Sequence, residues 1–219
     1  MTAPEVRHFA VGLSAEAVAG AWARQEQAPA GAVVHLDREI AGRLRGGLPA
    51  PDGPAVAVVL RPMLAADDDE DRLWAAALVV AHRTMSASRS TAGWPDSLDV
   101  DGVPAAFVNV IAQLHGGVID LAILTLRTPD PRHLPPADTF ADESVAATAV
   151  ARDGFDELAA DYARCSHVVG RRVLATLLPR GETRGTATGL AADGRLRLES
   201  VTGMVELLAA AIIRRVEPA

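Results

Sequence analysis

The chain has 219 residues, 49% of them apolar and only 4% aromatic, with a net charge of -7; this fits one large domain, or one plus a small one, with a core of Val, Leu, Ile and Ala, and its acidic balance argues against a nucleic-acid partner. All 21 basic residues are arginine, so no side chain can form a Schiff base, act as a P-loop lysine or serve as a tunable amine beside a reacting phosphate. A single cysteine, Cys165, excludes an intramolecular disulfide framework and a cysteine-based zinc site, while the lack of a signal-peptide pattern or of an apolar run near 18 residues points to a cytoplasmic protein with no membrane partner.

In chain order, residues 6–11 read as a first strand. Ser14 is placed to cap a helix over 15–25, with Val18 and Trp22 on its apolar face. Residues 32–36 read as a buried strand. Residues 42–54, rich in Gly, Arg and Pro, read as a loop, and 55–60 as another strand. The acidic run 67–71 suits the start of a helix over 72–86, where carboxylates meet the positive end of the macrodipole. Residues 103–113 and 118–126 form an expected strand pair about a turn at His115, Gly116 and Gly117. A proline-rich crossing at 128–136 leads to a helix beginning at 142 or 151 and ending near 164. Residues 171–178, 182–191, 195–200 and 204–208 then read as short strands joined by Gly-containing turns, the pattern of a small β-barrel.

Four segments taken together carry a resemblance: 28–48 (APAGAVVHLDREIAGRLRGGL), 93–108 (GWPDSLDVDGVPAAFV), 121–126 (LAILTL) with the later LPPADTF, and 158–198 with its ending in hairpins. They resemble the biotin protein ligases, within the wider biotin and lipoate ligase superfamily, over nearly the whole chain and without the N-terminal DNA-binding module of some members. The resemblance implies an α/β (α+β) fold: a mixed sheet flanked by helices over residues 1–164, then a small SH3-like barrel over 165–219. It implies biotin or another small carboxylic acid as ligand, with ATP and Mg²⁺ if the protein is active and no redox cofactor. A carrier protein of the biotin carboxyl carrier type and a second copy of the chain are the implied partners.

Carried onto this sequence, the resemblance makes Gly42, Arg43 and Arg45 an anion clamp on an acyl-adenylate phosphate, as guanidinium forks and a flexible backbone suit. Trp94 becomes a wall of the pocket, Asp96 a polar or Mg²⁺-binding residue, Glu39 the reader of the head group, and Thr125 the counterpart of a pocket asparagine. The departures are as telling. The family's catalytic lysine falls at Pro104, which has no donor, and a pocket glycine falls at Phe107. The lysine of the KWPND motif is Gly93. Losing one phosphate-stabilising donor costs on the order of 100- to 1000-fold in rate. Two readings follow: a ligase that forms an acyl-AMP and transfers it to an amine, or a pseudoenzyme that binds a ligand or a protein. No catalytic residue is assigned. Cys165 reads as a buried, inert thiol, and the six histidines, with no HxxxH or HExxH spacing, show no metal motif.

Overall fold

A computed structural model describes residues 3–85 and 89–219; of residues 66–69 it describes the backbone only. Strands β1 (Val6–Phe9), β2 (Val33–Glu39), β3 (Gly53–Leu60), β4 (Leu64–Ala65), β5 (Ser90–Gly93), β6 (Ser97–Val100), β7 (Val103–His115) and β8 (Val118–Arg127) form one sheet in the order β1-β2-β3-β8-β7-β6-β5, with β4 added on β8. Only the β1–β2 pair is parallel.

The central strands are buried on both faces, and their alternation separates two cores. Val56, Val58 and Leu60 of β3, with Ala122, Leu124 and Leu126 of β8, face helices α2 (Ala66–Thr84), α3 (Ala137–Asp153) and α4 (Phe155–Cys165). Ala55, Ala57 and Val59, with Leu121 and Ile123, face helix α1 (Ala15–Gln25). Helix α1 starts where its cap predicts: the Ser14 hydroxyl accepts from the Ala17 N–H at 3.2 Å. Ala15, Ala19, Trp22 and Ala23 form its buried stripe, with Val18 half-buried beside them.

Several expectations shift. Helix α2 begins at Ala66, so the acidic run forms its first turns rather than preceding it; the side chains of residues 67–69, and Ser86 at the expected helix end, lie outside the described residues. The single helix expected before residue 164 is two, because Gly154 between α3 and α4 leaves helical geometry at φ -149° and ψ 44°. Strands β5 and β6, unforeseen in the sequence, make a hairpin whose tip is Trp94, Pro95 and Asp96.

The second unit holds β9 (Arg172–Leu177), β10 (Glu182–Leu190), β11 (Leu196–Glu199), β12 (Val205–Leu208) and β13 (Ile213–Pro218), a five-stranded antiparallel sheet in the order β12-β11-β10-β9-β13. It is SH3-like, but its end strands β12 and β13 do not pair with each other, so it is a sheet rather than a closed barrel. The strand missed in the sequence, β13, lies beside β9.

The two units meet at the start of α2. Arg72 Nε donates to the Ala192 carbonyl at 2.8 Å, and the Ala210 N–H donates to Asp71 Oδ1 at 2.7 Å. A Cβ at Gly194 would strike the backbone of Asp71 and Arg72. Burial pushes the Asp71 carboxyl up to about 6, against the opposing Ala210 hydrogen bond. A raised carboxyl favours the folded state while protonated, so its contribution is full below about pH 4 and is lost as pH rises to about 6. Asp71→Asn keeps an acceptor for Ala210 and is expected to flatten that slope. Urea midpoints measured from pH 4 to 7 check this; equal slopes in both proteins would refute it.

Candidate functional site

Residues 40–52 cross from β2 to β3 as an irregular loop with one 3-10 turn, Arg45–Gly47, and Gly53 and Pro54, expected in the loop, open β3 instead. Gly46 and Gly47 both adopt positive φ there, at 73° and 78°, which a side chain would strain. The turn aims Arg45 inward. Its Nε donates to Asp96 Oδ2 at 3.1 Å, Nη1 to the Ala210 carbonyl at 2.9 Å and Nη2 to the Arg214 carbonyl at 3.3 Å. One guanidinium therefore joins the loop, the β5–β6 hairpin and the second sheet. Burial raises the Asp96 carboxyl above its ordinary range, and Arg45 works against that rise.

These groups border a cavity of about 800 Å³ lined by the loop, the hairpin, the start of β7 and strand β13. That volume falls within the range of small-molecule pockets. Trp94, Asp96, Asp99, Pro104, Phe107 and His167 are on its walls. Trp94 is almost fully buried, and its Nε1, together with Asp99 Oδ1 and His167 Nδ1, makes no hydrogen bond within the protein. His167 Nδ1 stands 3.8 Å from Asp99 Oδ2. A buried polar atom costs free energy unless something bonds it, so this wall carries an unmet polar demand behind the cavity surface. Gly93 has a local cause: a Cβ there would lie 2.5 Å from Ser97 Oγ and 2.7 Å from His167 Cε1.

Of the sequence-assigned residues, Arg45, Trp94 and Asp96 line the cavity, while Gly42, Arg43, Glu39 and Thr125 do not. Arg43 donates to the Gly47 carbonyl within its own loop at 3.3 Å. Glu39 is buried: Arg127 Nε donates to its Oε2 at 2.5 Å, and the Ala15 N–H to its Oε1 at 2.8 Å. Arg127 also donates through Nη2 to Glu16 Oε2 at 2.9 Å, which accepts from Asn109 Nδ2 at 2.8 Å. A Cβ on Gly42 would collide with Glu39 Oε2, which explains the glycine. Thr125 is fully buried, its Oγ1 without a protein partner.

Sequence reasoning missed His167, Asp99 and the cavity-lining Arg171, Arg214 and Arg215. Their meeting depends on strand β13 and on the docking of two sheets, which no local pattern announces. Cys165 is buried, donates to the Tyr162 carbonyl, and has its thiol pushed up to about 11 by burial, so it is no nucleophile at neutral pH. Among the described residues no helix is long and apolar enough to cross a membrane.

Residues 168–215 match the family model for the biotin protein ligase C-terminal domain. The whole chain superimposes on a biotin protein ligase from Aquifex aeolicus, in complex with biotin and ATP, with a TM-score of 0.74 at 12% identity, covering 98% of this chain and 99% of that one. A biotin acetyl coenzyme A carboxylase synthetase from Helicobacter pylori with bound biotinylated ATP gives 0.62 at 13% identity, over 93% and 99%. A biotin protein ligase-like protein of unknown function from Silicibacter sp. TM1040 gives 0.63 at 15% identity, over 95% of each chain. No curated protein sequence matches the chain. The fold is that of the biotin protein ligases.

Proposed function

We propose that this protein binds a small carboxylic acid or its adenylate in the cavity between its two sheets, and that it does not make biotinyl-AMP. The observation that carries the binding is the meeting of Arg45, Trp94 and Asp96 on one cavity of about 800 Å³. Arg45 would grip the phosphate, and Trp94 would form the wall. Asp96 and Asp99 are hard oxygen donors on the same cavity and suit Mg²⁺ brought in with ATP phosphates; the ion would neutralise phosphate charge.

Two observations support the absence of biotin adenylation. Pro104 lines the cavity where the resemblance places a lysine, and no lysine exists elsewhere in the chain to replace it. Glu39, where the resemblance places the head-group reader, has its carboxylate occupied by Arg127 and the Ala15 N–H. A second reading, an acyl-AMP-forming ligase for a different acid that hands its product to an amine of a carrier protein, is favoured only by the two cavity carboxylates.

The test incubates the protein with Mg-ATP and biotin, lipoate or a panel of other acids, and looks for acyl-AMP by mass spectrometry, beside equilibrium dialysis of biotinyl-sulfamoyl-adenosine and its acyl variants. Binding of an analogue without biotinyl-AMP is the expected result. Biotinyl-AMP above the no-protein control would overturn the loss of adenylation; no analogue bound would overturn the cavity's role. Pro104→Lys with Phe107→Gly restores the family's residue types. It is expected to leave biotinyl-AMP undetected, because it does not release Glu39 from Arg127; its appearance would mean that the pocket had merely been stripped.

A further inference from the structure

We propose a divalent transition-metal site on the outer edge of the large sheet, formed by His8, His35 and Asp37 and taking Zn²⁺ or a neighbouring first-row ion. It lies apart from the cavity and does not depend on what the cavity binds: none of the three lines it.

The site follows from strand pairing. The parallel register of β1 on β2 sets His8 directly opposite His35. Strand alternation then puts Asp37 on the same face as His35, two residues along. The two imidazoles stack with centroids 4.7 Å apart and planes 20° from parallel. His8 Nε2 lies 2.7 Å from Asp37 Oδ1, and one ligand atom from each of the three residues falls within 4.8 Å of the others. Metal bonds of about 2.0–2.1 Å place tetrahedral ligands roughly 3.3 Å apart; because the two rings are stacked, one of them turns out of the stack to aim a nitrogen at the shared ion, and His8 gives up its direct contact with Asp37. This is why spacing in the sequence hid it: the histidines belong to different strands.

The surroundings leave the triad available. The nearest basic side chains along these strands are engaged elsewhere, Arg7 with Glu26 and over the Trp22 ring, Arg38 with Asp52. His8 and Asp37 are exposed and His35 is half-buried, so an ion has an approach from solvent. Two imidazoles and one carboxylate suit Zn²⁺, Co²⁺, Ni²⁺ or Cu²⁺ rather than Mg²⁺ or Ca²⁺, and leave at least one position for water. β1 is a four-residue strand paired only with β2. The ion would clip this edge strand to its neighbour and stabilise the fold by mass action.

The experiment uses full-length protein without a histidine tag, freed of metal by chelation. Co²⁺ titration is followed by its visible d–d absorption, and the thermal midpoint is read with and without Zn²⁺. One Co²⁺ per chain and a Zn²⁺-dependent rise in the midpoint are expected. His8→Ala and His35→Ala are each expected to weaken binding by more than the roughly 10- to 100-fold that losing an outer-shell partner costs. His115→Ala, at the exposed end of β7, is expected to change nothing. These positions are not in the core, and far-ultraviolet circular dichroism confirms that each variant is folded. An absent d–d band, or the same titration in wild type and His8→Ala/His35→Ala, would overturn the site.

Discussion

Replacing Arg127 with Met is expected to destabilise the protein by about 3–5 kcal/mol, the usual cost of removing one partner from a buried ion pair. The side chain is 1% exposed and is held between Glu39, at 2%, and Glu16, at 12%. Its removal leaves two carboxylates close together with no cation. The loss is not the energy of the interaction itself, since much of it is the desolvation of charges left unpaired. Glu16→Gln and Glu39→Gln combined with Arg127→Met remove all three charges while keeping an acceptor for the Ala15 N–H. That triple variant is expected to recover at least half of the loss in urea or guanidinium unfolding. Recovery would mark the network as a buried charge cluster filling the place where the resemblance expects a head-group reader. If the single variant costs less than about 1 kcal/mol, the network does not hold this end of the sheet together.

Much of the fold was legible because the relevant signals are local. Ser14 and the Ala-rich stripe fix α1 without reference to the rest of the chain. The apolar runs of β3 and β8 identify strands buried on both faces, as does the turn at Gly116 and Gly117, both at positive φ, between β7 and β8. The errors fall where tertiary context decides. The β5–β6 hairpin has four-residue strands and a tip that reads as a motif rather than a turn. Gly154 splits a continuous helical pattern, and β13 shows only a weak alternation of buried and exposed residues. The site divides the same way. Arg45, Trp94 and Asp96 were readable as residue types in a motif. That Glu39 would be consumed by Arg127 was not, because their pairing crosses from β2 to the end of β8 through the core.

Arg45→Ala is expected to weaken an acyl-sulfamoyl-adenosine by about 10- to 100-fold, the equivalent of one charge-assisted hydrogen bond. The difficulty is that Arg45 already has three protein partners, so a loss of affinity has two possible sources. As a clamp, its guanidinium turns from Asp96 to the ligand. As a latch, it only holds the loop against the second sheet, and the cavity opens without it. Asp96→Asn separates them. It removes the competing charge while leaving a neutral acceptor at the same place, so the loop stays docked through the Ala210 and Arg214 carbonyls. Under the clamp, Asp96→Asn frees Arg45 and tightens the analogue in the absence of Mg²⁺, whereas Arg45→Ala weakens it. Under the latch alone, Arg45→Ala weakens it and accelerates proteolysis within residues 40–52, whereas Asp96→Asn, which leaves the loop docked, changes neither. The clamp is the expected outcome, since Arg45 and Asp96 both line the cavity and an anion there competes with Asp96 for the same guanidinium. A phosphate that enters beside Arg45 meets a guanidinium whose other two bonds go to neutral carbonyls, so the Asp96 pair is the contact that must yield.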